Sequence, residues 1–313
     1  MIDSAKSNNL TVAVLLPCYN EGKTIFDTVT EFKAMLPGAT IYVYDNNSTD
    51  NTISEAERAG AFVRTESLQG KGYVVRRMLR EIDSDIYVMA DGDRTYPAEY
   101  APQMINNLIA NGCDMIVGSR LESHHHLAFR KLHKFGNNLL SGLISLLFSF
   151  KLQDVLSGYR VFTRRFVQNV PLRSKRFEVE SEITLNALEA NMVIEEFPVN
   201  YRSRPADSFS KLSTFKDGIL IFGTILNIFR HYKPLPFFLI LSLLCILAGL
   251  LAGAPVILEF IQTGIVTHVP LAILAASLEV MAMQFMSIGL VLDSLTFNRK
   301  LKIDLKYRQA NRA

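Results

Sequence analysis

The sequence of 313 residues has no tryptophan and only three cysteines. Cys18, Cys113 and Cys245 are far apart and odd in number, which argues against a disulfide framework and favours a reducing compartment. Residues 1–10 are polar and carry no apolar run typical of a secretory signal, so we predict a flexible segment there. The net charge is only +3, and no stripe of Lys and Arg alternates with aromatic residues. Nucleic acid is therefore not expected as a partner.

Short apolar runs alternate with helical patterns over residues 11–119. The predicted strands are Thr11–Leu16, Thr40–Tyr44, Ala61–Arg64, Asp85–Ala90 and Met115–Val117. The predicted helices are Thr24–Met35, Thr52–Ala59, Gly70–Ile82 and Ala98–Asn111. This alternation predicts an α/β fold with a mainly parallel sheet covered on both faces. Ligands bind beyond the carboxyl ends of such strands, so the loops that follow them are expected around one site.

Two long hydrophobic stretches follow in the last third of the sequence. Leu235–Ile257 is nearly all apolar, and Val269–Leu292 is apolar apart from Glu279 and Gln284. Each exceeds the roughly 20 residues needed to cross a bilayer. The connector has no Lys or Arg, whereas basic residues flank both stretches, so the positive-inside rule places both ends in the cytosol. We predict a C-terminal two-helix transmembrane hairpin in the plasma (inner) membrane; two buried core helices are the alternative.

Two other segments combine basic residues with a broad apolar arc, which is typical of helices that lie on a bilayer surface. They are residues 130–150 and 211–233, and a buried core helix is the alternative for the first. The predicted domain order is residues 1–10 (flexible), 11–210 (catalytic), 211–233 (interfacial helix or linker), 234–298 (hairpin) and 299–313 (basic cytosolic tail).

The sequence Asp91-Gly92-Asp93 directly follows a predicted buried strand. Two carboxylates on either side of a glycine can reach one hard divalent cation, which takes oxygen ligands and keeps places for substrate phosphates. Such a cation neutralises the charge that develops on a diphosphate leaving group. Taken alone, the motif is often a solvated turn. Its neighbours strengthen it, because the polar loop Asp45–Thr52 can wrap around a nucleoside.

Seven motifs in order carry a resemblance to a known family. They are Pro17–Glu21, Asp45–Thr52, Gly70–Gly72, Asp91–Asp93, Gly118–Arg120, Asp154–Arg160, and Arg204 with Ser210-Lys211. The sequence thereby resembles family 2 glycosyltransferases with the GT-A (Rossmann-like) fold, of the dolichol-phosphate mannose synthase and bacterial polyprenyl-phosphate type. The resemblance covers about residues 11–232. It implies inverting transfer of one sugar from a UDP- or GDP-sugar, with Mg²⁺ or Mn²⁺.

The resemblance also implies roles for individual residues. Those expected to bind the nucleotide-sugar are Pro17, Tyr19, Glu21, Asp45, Lys71, Asp91, Gly92 and Asp93, and the metal ligands among them are Asp91 and Asp93. The expected catalytic residues are Asp93, Arg120, Asp154, Arg204 and Lys211. The expected acceptor-binding residues are Ser157, Gly158, Tyr159, Arg160 and Ser210. Arg130 joins them for a separate reason, since an anionic acceptor needs nearby cations. Two positions depart from the family pattern, since Thr95 replaces a glutamine and Asn46 replaces a second aspartate.

The functional hypotheses differ in the chemistry of the acceptor. A sugar hydroxyl needs a general base, for which Asp154 is the candidate, whereas a lipid phosphate is already an anion. We predict transfer to a membrane polyprenyl phosphate (undecaprenyl or dolichyl) at the cytosolic face. Extension of a glycolipid or polysaccharide hydroxyl is the alternative, although the missing tryptophan excludes the Q-x-x-R-W signature of processive synthases. A non-catalytic nucleotide-sugar-binding subunit is a third reading, and a homo-oligomer stays open, with Glu279 expected protonated and hydrogen-bonded at a helix or subunit contact.

Overall fold

The computed structural model describes residues 10–120, 150–174, 179–202 and 229–310, together with residues 141, 142, 145, 223, 226 and 227. The chain divides into two compact units, Met1–Gly218 and Ile219–Ala313. The predicted surface segment over 130–150 lies almost wholly outside the described residues, and so does most of 211–233. The predicted domain limits stay predictions.

The first unit is built on a seven-stranded sheet. Its strands are β1 (Val12–Cys18), β2 (Thr40–Asp45), β3 (Phe62–Thr65), β4 (Ile86–Met89), β5 (Met115–Ser119), β6 (Arg160–Thr163) and β7 (Ile194–Pro198). Their spatial order is β3-β2-β1-β4-β6-β5-β7. Strand β6 runs antiparallel to β4 and β5, and the other pairs are parallel. The mainly parallel sheet confirms the predicted fold class and all five predicted strands; β6 and β7 were not predicted.

Helices flank the strands along the chain. They are α1 (Ile25–Met35), α2 (Thr52–Arg58), α3 (Lys71–Glu81), α4 (Ala101–Ala110), α5 (Arg164–Asn169) and α6 (Val179–Glu189), with a 3₁₀ turn over Ala98–Tyr100 before α4. The four predicted helices are confirmed, the last with its first turn as 3₁₀. Residues along β1 are buried on both faces, because helices such as α1 and α4 place Phe32 and Met104 in the same core. This double burial explains the continuous apolar runs in the sequence.

Strand register gathers several chain segments at one edge of the sheet, here called the carboxyl edge. Cys18 at the end of β1 lies opposite Asp45 at the end of β2. Strand β6 is antiparallel, so it begins where its neighbours end, with Arg160 opposite Met89 and Val117. The segment that precedes β6 therefore joins the loops after β1, β2, β4 and β5 at the place where α/β folds bind ligands.

The second unit contains two long helices, α7 (Pro234–Thr263) and α8 (Val269–Ala310). Both are long and apolar enough to cross a membrane, over Pro234–Thr263 and Val269–Arg299. At 1.5 Å per residue α7 is about 45 Å long, more than the roughly 30 Å of a bilayer core. Large apolar side chains face outward, with Leu251 77% exposed, whereas core helices of soluble proteins bury such residues. The two helices form the predicted candidate membrane hairpin.

Close approaches join the two helices of the hairpin. Ser242 Oγ donates a hydrogen bond of 2.9 Å to the Ala282 carbonyl. The carboxyl group of Glu279 lies against Gly249, where a Cβ would come within 2.5 Å of Oε1. That Oε1 atom is buried and has no hydrogen-bond partner in the described part of the chain. Glu279 thus lies at a contact between helices, and its predicted protonation and hydrogen bond stay predictions.

Candidate active site

The loops that follow β1 and β2 are bonded to each other. The Asn20 amide nitrogen donates to Ser48 Oγ at 2.8 Å, and the Thr49 amide nitrogen donates to Asn20 Oδ1 at 2.8 Å. Asn20 and Asn47 adopt left-handed φ angles of 54° and 63°, which asparagine tolerates better than most residues. The two segments predicted to bind the nucleoside therefore form one tightly turned structure.

Asp45 lies at the base of this double loop and is 1% exposed. Its Oδ2 atom accepts a hydrogen bond of 3.0 Å from the Ser48 amide. Its Oδ1 atom is buried and has no hydrogen-bond partner among the described residues. A buried acceptor without a donor destabilises a protein by about 1–3 kcal/mol, so a ligand N–H or O–H group would be favoured there. This geometry supports the predicted contact of Asp45 with a nucleoside.

Asn46, one of the two departures from the family pattern, holds the loop before α3. Its Nδ2 atom donates to the carbonyls of Glu66 (3.1 Å) and Leu68 (2.8 Å), and its Oδ1 atom accepts from the Gly70 amide at 2.7 Å. An aspartate carboxylate could not donate these two hydrogen bonds, which explains why asparagine suits this position. Gly70 has a φ of 140°, a region that favours glycine. Asn46 thereby fixes the chain that leads into Lys71.

Helix α1 and strand β1 fix the loop after β4 by contacts with Gly92. Its carbonyl accepts hydrogen bonds from Thr24 Oγ1 at 2.8 Å and from Thr28 Oγ1 at 3.2 Å. A Cβ at Gly92 would come within 2.4 Å of Cys18 Sγ, so the close approach requires glycine. The sequence alone did not single out the two threonines, although their spacing of four residues places both on one helix face.

Asp93 is 2% exposed, and Thr95 holds its carboxylate. The amide and hydroxyl of Thr95 donate to Asp93 Oδ1 at 3.1 Å and 2.5 Å. Arg94 between them has a φ of 62°, a conformation that a side chain other than glycine rarely adopts. Thr95, the second departure from the family pattern, therefore orients one of the two predicted metal ligands.

Carboxylates gather around the buried thiol of Cys18. Burial raises the pKa of this thiol well above its usual value, and the charges of Glu21, Asp45, Asp91 and Asp93 raise it further. The raised pKa favours the protonated thiol, which is a poor nucleophile. The same charges give the carboxyl edge a negative potential that favours a bound cation.

The predicted metal site has two protein carboxylates. In the described residues, no group of three or more His, Cys, Asp and Glu side chains could hold a metal ion. Asp91 lies against Gly158, where a Cβ would come within 3.0 Å of Oδ2, so the glycine keeps space beside the carboxylate. Asp91 and Asp93 are hard oxygen donors, which suits Mg²⁺ or Mn²⁺ if phosphate oxygens and water complete the shell. The residues therefore fit a site that the substrate completes.

Lys71 joins two carboxylates at this edge. Its Nζ atom lies 2.6 Å from Asp91 Oδ1 and 2.6 Å from Glu180 Oε1. Burial on its own lowers the pKa of Lys71, but the charges and hydrogen bonds of Asp91 and Glu180 outweigh it and raise the pKa well above its usual value. The ammonium group stays charged. Glu180, on the first turn of α6, was not predicted, because nothing in its local spacing distinguishes it from Glu182 nearby.

Arg120 and Asp154 form a two-pronged ion pair. The guanidinium Nε lies 2.6 Å from Oδ2 and one terminal nitrogen lies 2.8 Å from Oδ1, and the Arg120 amide adds a bond of 3.1 Å to Oδ2. Asp154 is 1% exposed. Both oxygens of the candidate base therefore accept charge-assisted hydrogen bonds from the Arg120 guanidinium.

Side chains of the segment before β6 point into the protein. Ser157, Tyr159 and Arg160 are each 0% exposed. The Arg160 guanidinium donates to the carbonyls of Val155 (2.6 Å) and Ser157 (2.9 Å) and to Thr184 Oγ1 (2.8 Å). These buried side chains stabilise the segment. Gly158, which has no side chain, is the residue among them that lies against Asp91. Their acceptor-binding role stays a prediction.

Residues 13–170 match the family described as Glycosyl transferase family 2. The glycosyltransferase AglJ of Haloferax volcanii is 30% identical over 283 residues, which cover 90% of this chain and 92% of the relative. The chain belongs to the family 2 glycosyltransferases. Protein RfbJ of Shigella flexneri is 52% identical over 127 residues, covering 41% of this glycosyltransferase and 98% of that protein. A dolichyl-phosphate hexose transferase of Haloferax volcanii is 27% identical over 69% of this chain and 93% of its own length.

A solved structure shares the fold of this glycosyltransferase. The glucosyl-3-phosphoglycerate synthase of Mycobacterium tuberculosis, in complex with Mn²⁺, UDP and phosphoglyceric acid, superposes with a TM-score of 0.58. The sequences are 20% identical, and the match covers 72% of this chain and 80% of the synthase. Identity at this level supports the fold alone, and it agrees with the mainly parallel sheet described above.

Two tyrosines of the glycosyltransferase line the site and were not predicted. The Tyr96 hydroxyl accepts a hydrogen bond of 3.0 Å from the Gly158 amide, and its ring lies 5.2 Å from that of Tyr201. Burial raises the pKa of both phenols, so they stay protonated. The Arg120 guanidinium lies 5.5 Å from the Tyr201 ring centre. One sequence signal could have found Tyr96, namely its position shortly after the Asp91–Asp93 motif.

The described residues place most of the predicted site at the carboxyl edge. Asp91 pairs with Lys71 and lies beside Gly158. Asp93, Asp45 and the Arg120–Asp154 pair lie on the neighbouring loops. Four predicted residues lie outside the described residues: Arg130, Arg204, Ser210 and Lys211.

Proposed function

We propose that this glycosyltransferase moves one sugar from a UDP- or GDP-sugar to a membrane polyprenyl phosphate. The observation that carries the proposal is the Arg120–Asp154 pair, with contacts of 2.6 Å and 2.8 Å. A hydroxyl acceptor needs a base to remove its proton, and the candidate base is held by a guanidinium. The second pKa of a lipid phosphate is about 6, so near neutral pH the phosphate is already an anionic nucleophile and needs no base.

The site's own residues have distinct parts in this reaction. Asp45 and the loops after β1 and β2 would hold the nucleoside through the buried Oδ1 acceptor. Asp91 and Asp93 would hold Mg²⁺ or Mn²⁺, which when bound neutralises charge on the diphosphate leaving group. Lys71 would add a second positive charge beside Asp91. Arg120 would sit near the acceptor phosphate and offset repulsion between two anions.

Two further observations support a lipid-borne acceptor. The chain has a candidate membrane hairpin, which would keep the enzyme where polyprenyl phosphates reside. A similar protein of Haloferax volcanii is described as a dolichyl-phosphate hexose transferase. Extension of a glycolipid or polysaccharide hydroxyl remains the competing function, and it predicts a need for Asp154 as a base.

The acceptor can be tested with matched lipids. The full chain in nanodiscs is incubated with radiolabelled UDP- and GDP-sugars, Mg²⁺ or Mn²⁺, and either undecaprenyl phosphate or undecaprenol. We expect label in the lipid phase only with the phosphate, because the alcohol lacks the anionic nucleophile. Equal transfer to undecaprenol, or transfer only to a glycolipid hydroxyl, would refute the proposal. Release of nucleotide without any transfer would favour a non-catalytic binding subunit.

We also propose that both ends of the hairpin face the cytosol, because basic residues flank the spans and the connector has none. Cysteine labelling tests this orientation in a Cys245→Ser chain. Cys18 and Cys113 are buried, and burial raises the pKa of Cys113 to about 12, so both react slowly. We expect an impermeant maleimide to label Ile265→Cys in intact cells and Gln309→Cys only after the membrane is opened. The reverse pattern contradicts the orientation.

A further inference from the structure

The buried carboxylate of Glu180 has no role in the reaction as proposed so far. Glu180 is 5% exposed, and its Oε1 atom lies 2.6 Å from Lys71 Nζ. Its Oε2 atom is buried and has no hydrogen-bond partner among the described residues. One oxygen of Glu180 is thus paired with Lys71 and the other is not, although a buried carboxylate that is only partly paired is costly.

The geometry of Lys71 connects Glu180 to the metal and phosphate site. An ammonium group has three N–H donors. Two are used by Asp91 and Glu180, each at 2.6 Å. Among the described residues, these two carboxylates are the only side chains that pair with the ammonium group, which leaves its third donor for a ligand. A phosphate oxygen of the donor is a suitable acceptor, because charge-assisted hydrogen bonds to phosphate are strong.

Without Glu180, Asp91 would be the only carboxylate that holds Lys71. The ammonium and a divalent cation are both attracted to Asp91, so they compete for the same oxygen atoms. Glu180 offers the ammonium a second anion on the side of α6. Lys71 can therefore remain in the site when Asp91 turns to the metal.

We propose that Glu180 is a positioning residue that acts through Lys71. It holds the Lys71 ammonium beside Asp91 so that one N–H group is directed at the diphosphate of the nucleotide-sugar. The inference rests on the proposed donor site and does not depend on which acceptor is used.

Glu180 has a competing structural role as a counter-charge for Arg160. Burial lowers the pKa of the Arg160 guanidinium to about 10, and the charge of Glu180 opposes that shift. If this were its only role, loss of Glu180 would lower stability and leave nucleotide affinity unchanged. The two roles therefore predict different measurements.

A double-mutant cycle separates them. Binding of UDP and of GDP to the full chain with Mn²⁺ is measured by calorimetry, without any acceptor. We expect Glu180→Gln to weaken nucleotide binding by roughly tenfold, which corresponds to about 1.4 kcal/mol. In a Lys71→Met background the same change should alter affinity by less than about twofold, because the residue through which Glu180 acts is gone. The matched control is Glu182→Gln, whose carboxylate accepts from the amides of Arg173 and Ser174.

The outcomes are distinguishable. Equal weakening by Glu180→Gln in both backgrounds would overturn the inference, as would unchanged affinity with a lower melting temperature. Nucleotide binding that follows the expected cycle would support it even if no lipid phosphate accepts sugar. Failure of the unaltered chain to bind either nucleotide would overturn the donor site itself. With an active acceptor, Glu180→Gln should raise the KM for the donor more than it lowers kcat, and Glu180→Asp should recover part of the affinity.

Discussion

Replacing Asp93 by asparagine is expected to lower the rate of sugar transfer by about 10³-fold or more without unfolding the protein. The amide oxygen of asparagine can still accept the hydrogen bonds that Thr95 donates at 3.1 Å and 2.5 Å. The negative charge is lost, however, and with it a ligand for a cation whose stabilisation of the leaving group is worth several kcal/mol. About 4 kcal/mol corresponds to about 10³ in rate.

The matched control for Asp93→Asn lies at the other end of the same strand. Asp83 precedes β4, its side chain is 79% exposed, and it pairs with Arg164 at 3.1 Å. Asp83→Asn should leave transfer within about twofold, since exposed pairs contribute little. Rates are measured with the lipid phosphate assay over a range of Mn²⁺ concentrations. An Asp93→Asn chain that keeps more than a tenth of the rate would contradict the assignment of Asp93 as a metal ligand.

Breaking the Arg120–Asp154 pair is expected to destabilise the first unit by about 3–5 kcal/mol. Asp154→Ala removes both oxygens that accept from the guanidinium, and Arg120→Ala removes the cation that balances a carboxylate only 1% exposed. The double substitution should be less harmful than the sum of the two, because residues in direct contact are not additive. The control is an exposed ion pair, Arg94 and Asp27, whose side chains are 42% and 48% exposed. Asp27→Ala should lower the free energy of unfolding by less than about 1 kcal/mol.

Tyrosine emission can follow this unfolding. The sequence has no tryptophan, and all of its 11 tyrosines except Tyr232 and Tyr307 precede residue 219. Urea denaturation of the detergent-solubilised chain therefore reports mainly on the first unit. Additive losses in the double variant would show that the ion pair is not the stabilising contact. A rate that falls far more in Asp154→Asn than its stability predicts, and only with hydroxyl acceptors, would restore Asp154 as a general base.

The sequence predicted the parts of the fold that are local. β1, β2 and β4 are buried on both faces and read as continuous apolar runs, so they were found. β6 begins with the charged residue Arg160, and β7 contains two glutamates that are half buried. Neither has a pattern that distinguishes it from a loop. The insertion of β6 between β4 and β5 depends on pairing between distant residues, which a local pattern does not contain.

For the candidate site as well, the sequence predicted local features and missed contacts between distant residues. Asp91 and Asp93 were found because they directly follow a buried strand. The pairing of Arg120 with Asp154 spans 34 residues, and Lys71 meets Glu180 across more than 100. Such contacts are set by the sheet order and not by spacing along the chain. The sequence also did not predict that Arg160 points inward. Charged residues are usually exposed, whereas Arg160 is 0% exposed.

The antiparallel course of β6 has a consequence for the layout of the candidate site. The chain leaves the carboxyl edge after Ser119 and returns to the same edge before Arg160, which pairs with Val117. Because β6 begins where β5 ends, residues on either side of the intervening sequence become neighbours. Arg120 and Asp154 can therefore form an ion pair although 34 positions separate them along the chain. A parallel β6 would instead begin at the opposite edge of the sheet and would carry the segment before it away from the site.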